Sequence, residues 1–154
     1  MKKIVIAAVL LMVGVPASFA ADSWGKLSLF DKIAYPEVNS VRGVELGLLY
    51  SNTQEFTGFQ FTFIHGRAAN LEGVQMAAVT WADKATAIQF GAGNIAKDMK
   101  GAQVGFVNYA EKLNGFQLGF INYTEVMSTG LQIGIVNVIR NSKLPIMVIA
   151  NARF

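Results

Sequence analysis

From Gly43 to Asn151, apolar and polar residues alternate in short bursts that recur every 14 or 15 residues. The recurring phrase is Gly-apolar-Gln-apolar-Gly-apolar-apolar-Asn. Three copies are clear: Gly101, Gln103, Gly105 and Asn108; Gly115, Gln117, Gly119 and Asn122; Gly130, Gln132, Gly134 and Asn137. Looser copies begin at Gly43, Gly58, Gly73 and Ala87, and a last one ends at Asn151. With the leading glycine as position zero, positions one, three and five are apolar, as in Phe116, Leu118 and Phe120. Positions zero, two and four are Gly, Gln and Gly. That is a period of two, the signature of a strand with one apolar face, and helical spacing does not fit. Position six is also apolar (Val107, Ile121, Val136), which a continuing strand places on the opposite face. Position eight often carries a ring, as at Trp81, Tyr109 and Tyr123.

A fixed short period means one supersecondary unit used repeatedly. The polar pieces between phrases, such as Lys97-Asp98-Met99-Lys100 and Glu111-Lys112-Leu113-Asn114, read as hairpin loops. The Asn suits a strand end, where its side chain satisfies turn backbone groups. A parallel solenoid would have to bring the chain back to its start within every coil. A strand of eight to ten residues spans roughly 26 to 33 Å. Four to six loop residues at about 3.3 to 3.6 Å each cannot return across that span. A short-coil β-solenoid therefore requires strands nearer five residues, and it stands as the alternative. The expectation is an all-β antiparallel meander of about eight to ten strands, closed or nearly closed into a small barrel so that no edge is left open. Trp24 to Ile33 supplies a strand in front, Tyr35-Pro36-Glu37 breaks the chain, and Pro145 to Phe154 supplies the last strand. Paired glycines on one face allow close backbone approach.

The ends set the compartment. Lys2 and Lys3, an apolar run from Ile4 to Val15 and Ser18-Phe19-Ala20 have the form of a removable export leader over residues 1–20, leaving a single domain over 21–154. The run is too short for a spanning helix, which takes about 20 residues. Without the two leader lysines the charges nearly cancel, so the basic balance is poor evidence for nucleic acid, and no basic run interleaves with aromatics. Apolar residues make up 53% and charged ones only 15%, more apolar than an ordinary soluble domain.

Catalytic chemistry has little to stand on. His65 is the only histidine and cysteine is absent, so a His/Cys metal site is excluded. His65 beside Gly66 reads as a turn or interface residue. The acids Glu55, Glu72, Asp83, Asp98, Glu111 and Glu125 fall singly, about one per loop, which reads as a solvated rim. Gly91-Ala92-Gly93 lacks the following helix of a phosphate loop. No cofactor is implied.

The tandem units resemble the surface-repeat proteins of Gram-negative bacteria and spirochaetes, including secreted proteins of the Vibrio and Leptospira type. Lys26-Leu-Ser-Leu-Phe30, Val41-Arg-Gly-Val-Glu-Leu-Gly47, Leu144-Pro145 and Asn151-Ala-Arg-Phe154 fit the same pattern. His65-Gly66-Arg67 and Thr80-Trp81 stand where Asn is expected, so those two strands are expected to end differently. The resemblance implies a β protein of the envelope or outer membrane and implies no enzyme activity, so a non-enzymatic protein is the expectation. Phe154, closing an alternating apolar strand, resembles the insertion signal of outer-membrane barrels. The expected partner is the outer membrane or lipid. The competing expectation is a soluble periplasmic barrel holding an apolar ligand.

Overall fold

The computed structural model describes residues 22–30 and 33–154; the expected leader lies outside them. The described residues form eight strands: β1 Asp22–Phe30, β2 Ile33–Tyr35, β3 Ser40–Gly47, β4 Tyr50–Thr62, β5 His65–Met76, β6 Val79–Leu118, β7 Ile121–Ile139 and β8 Ile146–Arg153. They make one sheet in the order β2-β1-β3-β4-β5-β6-β7-β8. The pairings β1/β3, β3/β4, β4/β5, β5/β6 and β6/β7 are parallel. Only β1/β2 and β7/β8, one at each end of the stack, are antiparallel. β6 is 40 residues long, more than two repeats, because the chain rounds each corner without leaving strand geometry. The architecture is a β-solenoid of about seven stacked coils.

The all-β, repeat-built expectation holds, and its solenoid alternative is the observed architecture. The antiparallel barrel is corrected. The coil beginning at Gly101 turns Gln103, Asn108, Ala110 and Leu113 inward, and the next coil resumes at Gln117. Strict alternation therefore lasts only about five residues before the chain bends, which is the condition the return-path argument set. The pieces expected as hairpin loops, 97–100 and 111–114, are instead coil edges whose Met99 and Leu113 are buried. Position six is corrected as well. Val107 and Ile121 stand on the outside with positions three and five, because the coil bends between them.

Parallel stacking keeps every position over itself. Gly43, Gly58, Gly73 and Ala87 pair in succession, as do Gly115 and Gly130. The glycine column is a packing requirement. Gly115 holds φ at 144°, and a Cβ there would stand 2.0 Å from the Gly101 carbonyl oxygen. One half of the interior is apolar, with Val41, Phe56, Leu71, Ala85, Met99, Leu113 and Met127 stacked in line and Ala68, Ala82, Ala96 and Ala110 beside them.

The other half is a pair of amide ladders. Gln132 donates its Nε2 to Gln117 Oε1 (2.7 Å), Gln117 to Gln103 (2.7 Å), Gln103 to Gln89 (2.9 Å), Gln89 to Gln75 (2.8 Å) and Gln75 to Gln60 (2.6 Å). Gln60 then donates to Glu45 Oε2 at 2.8 Å. Glu45 also accepts from Ser28 and Thr53 and faces the Lys26 ammonium at 3.4 Å, with both charged residues buried. A run of amides donating in one direction needs a pure acceptor at its end, and a carboxylate is one. The Asn ladder runs the opposite way. Thr80 donates to Asn94, Asn94 to Asn108, Asn108 to Asn122 and Asn122 to Asn137. Each of Asn94, Asn108 and Asn122 also donates to a backbone carbonyl of the following coil, at Val104, Leu118 and Ile133. Thr80 thus takes the first place of the Asn column and supplies the hydroxyl donor that starts it.

Two predictions follow from the polarity of the ladders. Gln103→Leu strands the Gln117 amide donor and the Gln89 acceptor, and should cost about 2–5 kcal/mol in equilibrium urea unfolding. Gln132→Leu should cost less, about 1–2 kcal/mol, because its Oε1 has no partner among the described residues and Thr124 still donates to Gln117, although its own bonds to Thr124 and the Val138 carbonyl are lost. The second concerns the terminator. Glu45→Gln removes the counter-ion of the buried Lys26 ammonium, leaving it only the Asn52 carbonyl and the Thr53 hydroxyl, and should cost about 3–5 kcal/mol. Adding Lys26→Met should recover part of that loss, a coupling measured by a double-mutant cycle.

Candidate functional site

Because the amides point inward, the apolar residues at positions one, three and five point outward. This decides the face that the sequence left open. Phe63, Phe106, Phe120 and Ile135 are 54–68% exposed, and Leu48, Ile64, Val107 and Ile121 stand exposed beside them. Coils repeat at about 4.8 Å, so the wall runs about 30 Å along the axis. A monomeric soluble protein rarely leaves a contiguous apolar patch of more than a few hundred Å² uncovered.

Within the wall the column of Gly91, Gly105, Gly119 and Gly134 forms the floor of a trough of about 640 Å³. The position-three and position-five side chains that flank these glycines line the trough. Val104, Leu118 and Ile133 make one bank, and Phe106, Phe120 and Ile135 the other. Gly119 has no room for a side chain, since a Cβ would lie 2.5 Å from both Asn108 Nδ2 and the Gly105 oxygen. The rings of Phe106 and Phe120 meet at 5.2 Å. Ile149 of β8 stands at the C-terminal end of the trough with φ at 70°.

The opposite side of the coil is charged. Asp83 meets Lys97 at 2.7 Å and Arg67 at 3.8 Å, and Arg140 meets Glu125 at 3.6 Å. The hydrogen bond from Lys97, aided by the charges of Lys97 and Arg67, holds the Asp83 carboxyl below the usual range against the opposing effect of burial. Of the acids that looked isolated in sequence, Asp83 and Glu125 are thus ion-paired with lysine and arginine, and Glu55 accepts from Asn70. Among the described residues no group of three His, Asp or Glu side chains is placed to hold a metal ion.

The rings of position eight border the wall. Tyr109 and Tyr123 stack at 5.5 Å, and Arg67 lies 5.7 Å from the Trp81 ring. Burial first, and then the Glu125 and Glu111 charges, raise the Tyr109 phenol above its ordinary value. His65 opens β5 and stacks on Tyr50 with centroids 5.0 Å apart. The twelve repeat residues from Gly101 to Asn137 named in the sequence thus form the scaffold behind the wall. Phe154 stands past β8 at 95% exposure; the insertion signal it resembles belongs to a barrel, and this chain is a solenoid. Sequence reasoning missed the Lys26–Glu45 terminator, although Glu45 is the one charged residue in the Gln column. It missed Ile149 entirely, since a strained backbone angle leaves no mark in the pattern.

Comparison with family models, with curated proteins and with solved structures finds no match to this chain.

His65 generates a pH prediction. Burial chiefly, and the Arg67 charge after it, lower the imidazole pKa from its ordinary value. The folded state then binds this proton less readily than the unfolded chain, so stability is complete above the ordinary imidazole range and falls as pH drops through about 6.5 and below. Thermal melts between pH 7.5 and 5 should show a loss in the wild type that His65→Phe, which keeps the stack, reduces.

Proposed function

We propose that this chain is an exported, non-enzymatic structural protein of the Gram-negative envelope that lies on the outer membrane with its apolar wall against lipid. The observation that carries the reading is the two-sidedness of the solenoid. One outer wall bears large exposed apolar side chains in successive coils, and the opposite flank bears paired charges. A rigid amphipathic plate of this kind has the distribution expected of a body seated at an interface, with its apolar face in the acyl boundary and its charges in water. Tyr109, Tyr123 and Trp81 beside the wall have the amphipathic character that suits the headgroup level. The export leader form of residues 1–20 and the resemblance to surface-repeat proteins support the compartment. The coil interior is filled by amides and apolar side chains, so this reading rests on the outer surface.

The test is fractionation of cells expressing the full chain. The wild type should sediment with the outer membrane and stay there through a high-salt wash. Replacing Phe63, Phe106 and Phe120 by Lys should release it, with at least a tenfold drop in affinity for phospholipid vesicles, since about 1.4 kcal/mol of lost burial suffices for that factor. Recovery of the wild type as a freely soluble periplasmic protein would overturn the reading.

A further inference from the structure

We infer that the trough floored by Gly105, Gly119 and Gly134 is a binding site for a single acyl chain of a membrane phospholipid, laid along the solenoid axis with its methyl end toward Ile149. The inference takes only the source of the chain from the membrane reading. The site itself rests on three observations. The first is shape. The trough is straight because the coils are in register. The steps from Gly91 through Gly105 and Gly119 to Gly134 make it about 14 Å long at the spacing of stacked strands. Its volume, about 640 Å³, falls in the range of small-ligand sites.

The second is chemistry. The banks are Val, Leu, Ile and Phe side chains, and the floor is glycine backbone. The floor's polar groups are engaged between coils, as where Gly119 N–H donates to the Ile133 carbonyl. An entering peptide would bury N–H and C=O groups with nothing to pair them, at a cost of several kcal/mol for each group in an apolar setting. An alkyl chain carries no such groups, and each buried methylene contributes about 0.8 kcal/mol. The lining therefore selects hydrocarbon over a protein segment.

The third is the end-stop. Ile149 is β-branched and holds φ at 70°, where left-handed backbone is disfavoured by about 1–2 kcal/mol per residue. Strain of this kind collects where a ligand is clamped or limited. Here it occurs in β8, opposite Gly134, where the β7/β8 register shifts and the strand passes the end of the trough. The opposite end differs. Ala92 and Ala78 follow Phe106 along the position-five bank, so that bank drops away and leaves an exit for the glycerol end of the lipid.

The experiment has two arms. In the first, the full-length protein is mixed with a nitroxide-labelled lysophospholipid, spin label near the chain terminus, below the concentration at which it forms micelles. The wild type should show an immobilised spectral component that saturates at about one lipid per chain. Leu118→Trp and Val104→Trp each fill the trough while keeping the wall apolar, and whichever retains the wild-type β circular dichroism should bind at least about tenfold more weakly. Glu72→Gln, outside both the trough and the apolar wall, should bind like wild type. Absence of the immobilised component, or its persistence in a folded trough-filling variant, would overturn the site. The second arm is sedimentation with phosphatidylethanolamine/phosphatidylglycerol vesicles, which the trough-filling variants should still bind. Loss of vesicle binding by the wild type with lysolipid capture intact would sink the membrane reading and leave the trough standing.

Discussion

The amide ladder is the constraint from which the rest of the structure follows. A buried primary amide is costly unless both its donor and its acceptor are used. Stacking one Gln directly over another satisfies them in series, and the polarisation of each bond strengthens the next. That solution demands parallel coils in register. Register places glycine over glycine, where neighbouring backbones approach so closely that a Cβ at Gly115 would overlap the Gly101 carbonyl. It also aligns Leu71, Ala85, Met99 and Leu113 into an apolar stack that completes the interior.

A directional ladder must begin and end somewhere, and the two ends are handled differently. The N-terminal end stops on the Glu45 carboxylate, itself neutralised by Lys26 and hydrogen-bonded by Ser28 and Thr53. The C-terminal end stops on Gln132, whose acceptor is left without a partner among the described residues, beneath the antiparallel cap of β8. The antiparallel strands β2 and β8 break the parallel series at both ends, one way of keeping a repeat array from propagating onto another copy. Because Gln is used inside, the apolar residues that alternate with it at positions one, three and five point out. The exposed wall, its glycine-floored trough and the charged flank are consequences of that single choice, and the functional reading rests on them.

Much of this was legible in the chain. The period, the strand character and the need for glycine at close approach follow from Gly-x-Gln-x-Gly alone. The barrel expectation failed for a definable reason. Five residues of alternation look the same in a hairpin strand and in one edge of a coil, and the pieces at 97–100 and 111–114 that round the coil edge look like loops. A sharper signal was present. In an antiparallel meander position two of one strand does not in general meet position two of the next, so there is no reason for Gln60, Gln75, Gln89, Gln103, Gln117 and Gln132 to be identical. In parallel stacking each meets the next, and identity is required.

The sequence by itself determined that this protein is all-β, built of a 14–15-residue unit, and carries one polar and one apolar set of side chains, because periodicity and residue type are local properties. Only the tertiary structure decided which set is buried. That choice depends on whether the amides can find partners, and the partners lie one full coil away, at separations of 14 or 15 residues that a local pattern does not specify. The Lys26–Glu45 terminator and the Ile149 end-stop belong to the same class, since each exists only once distant segments are stacked.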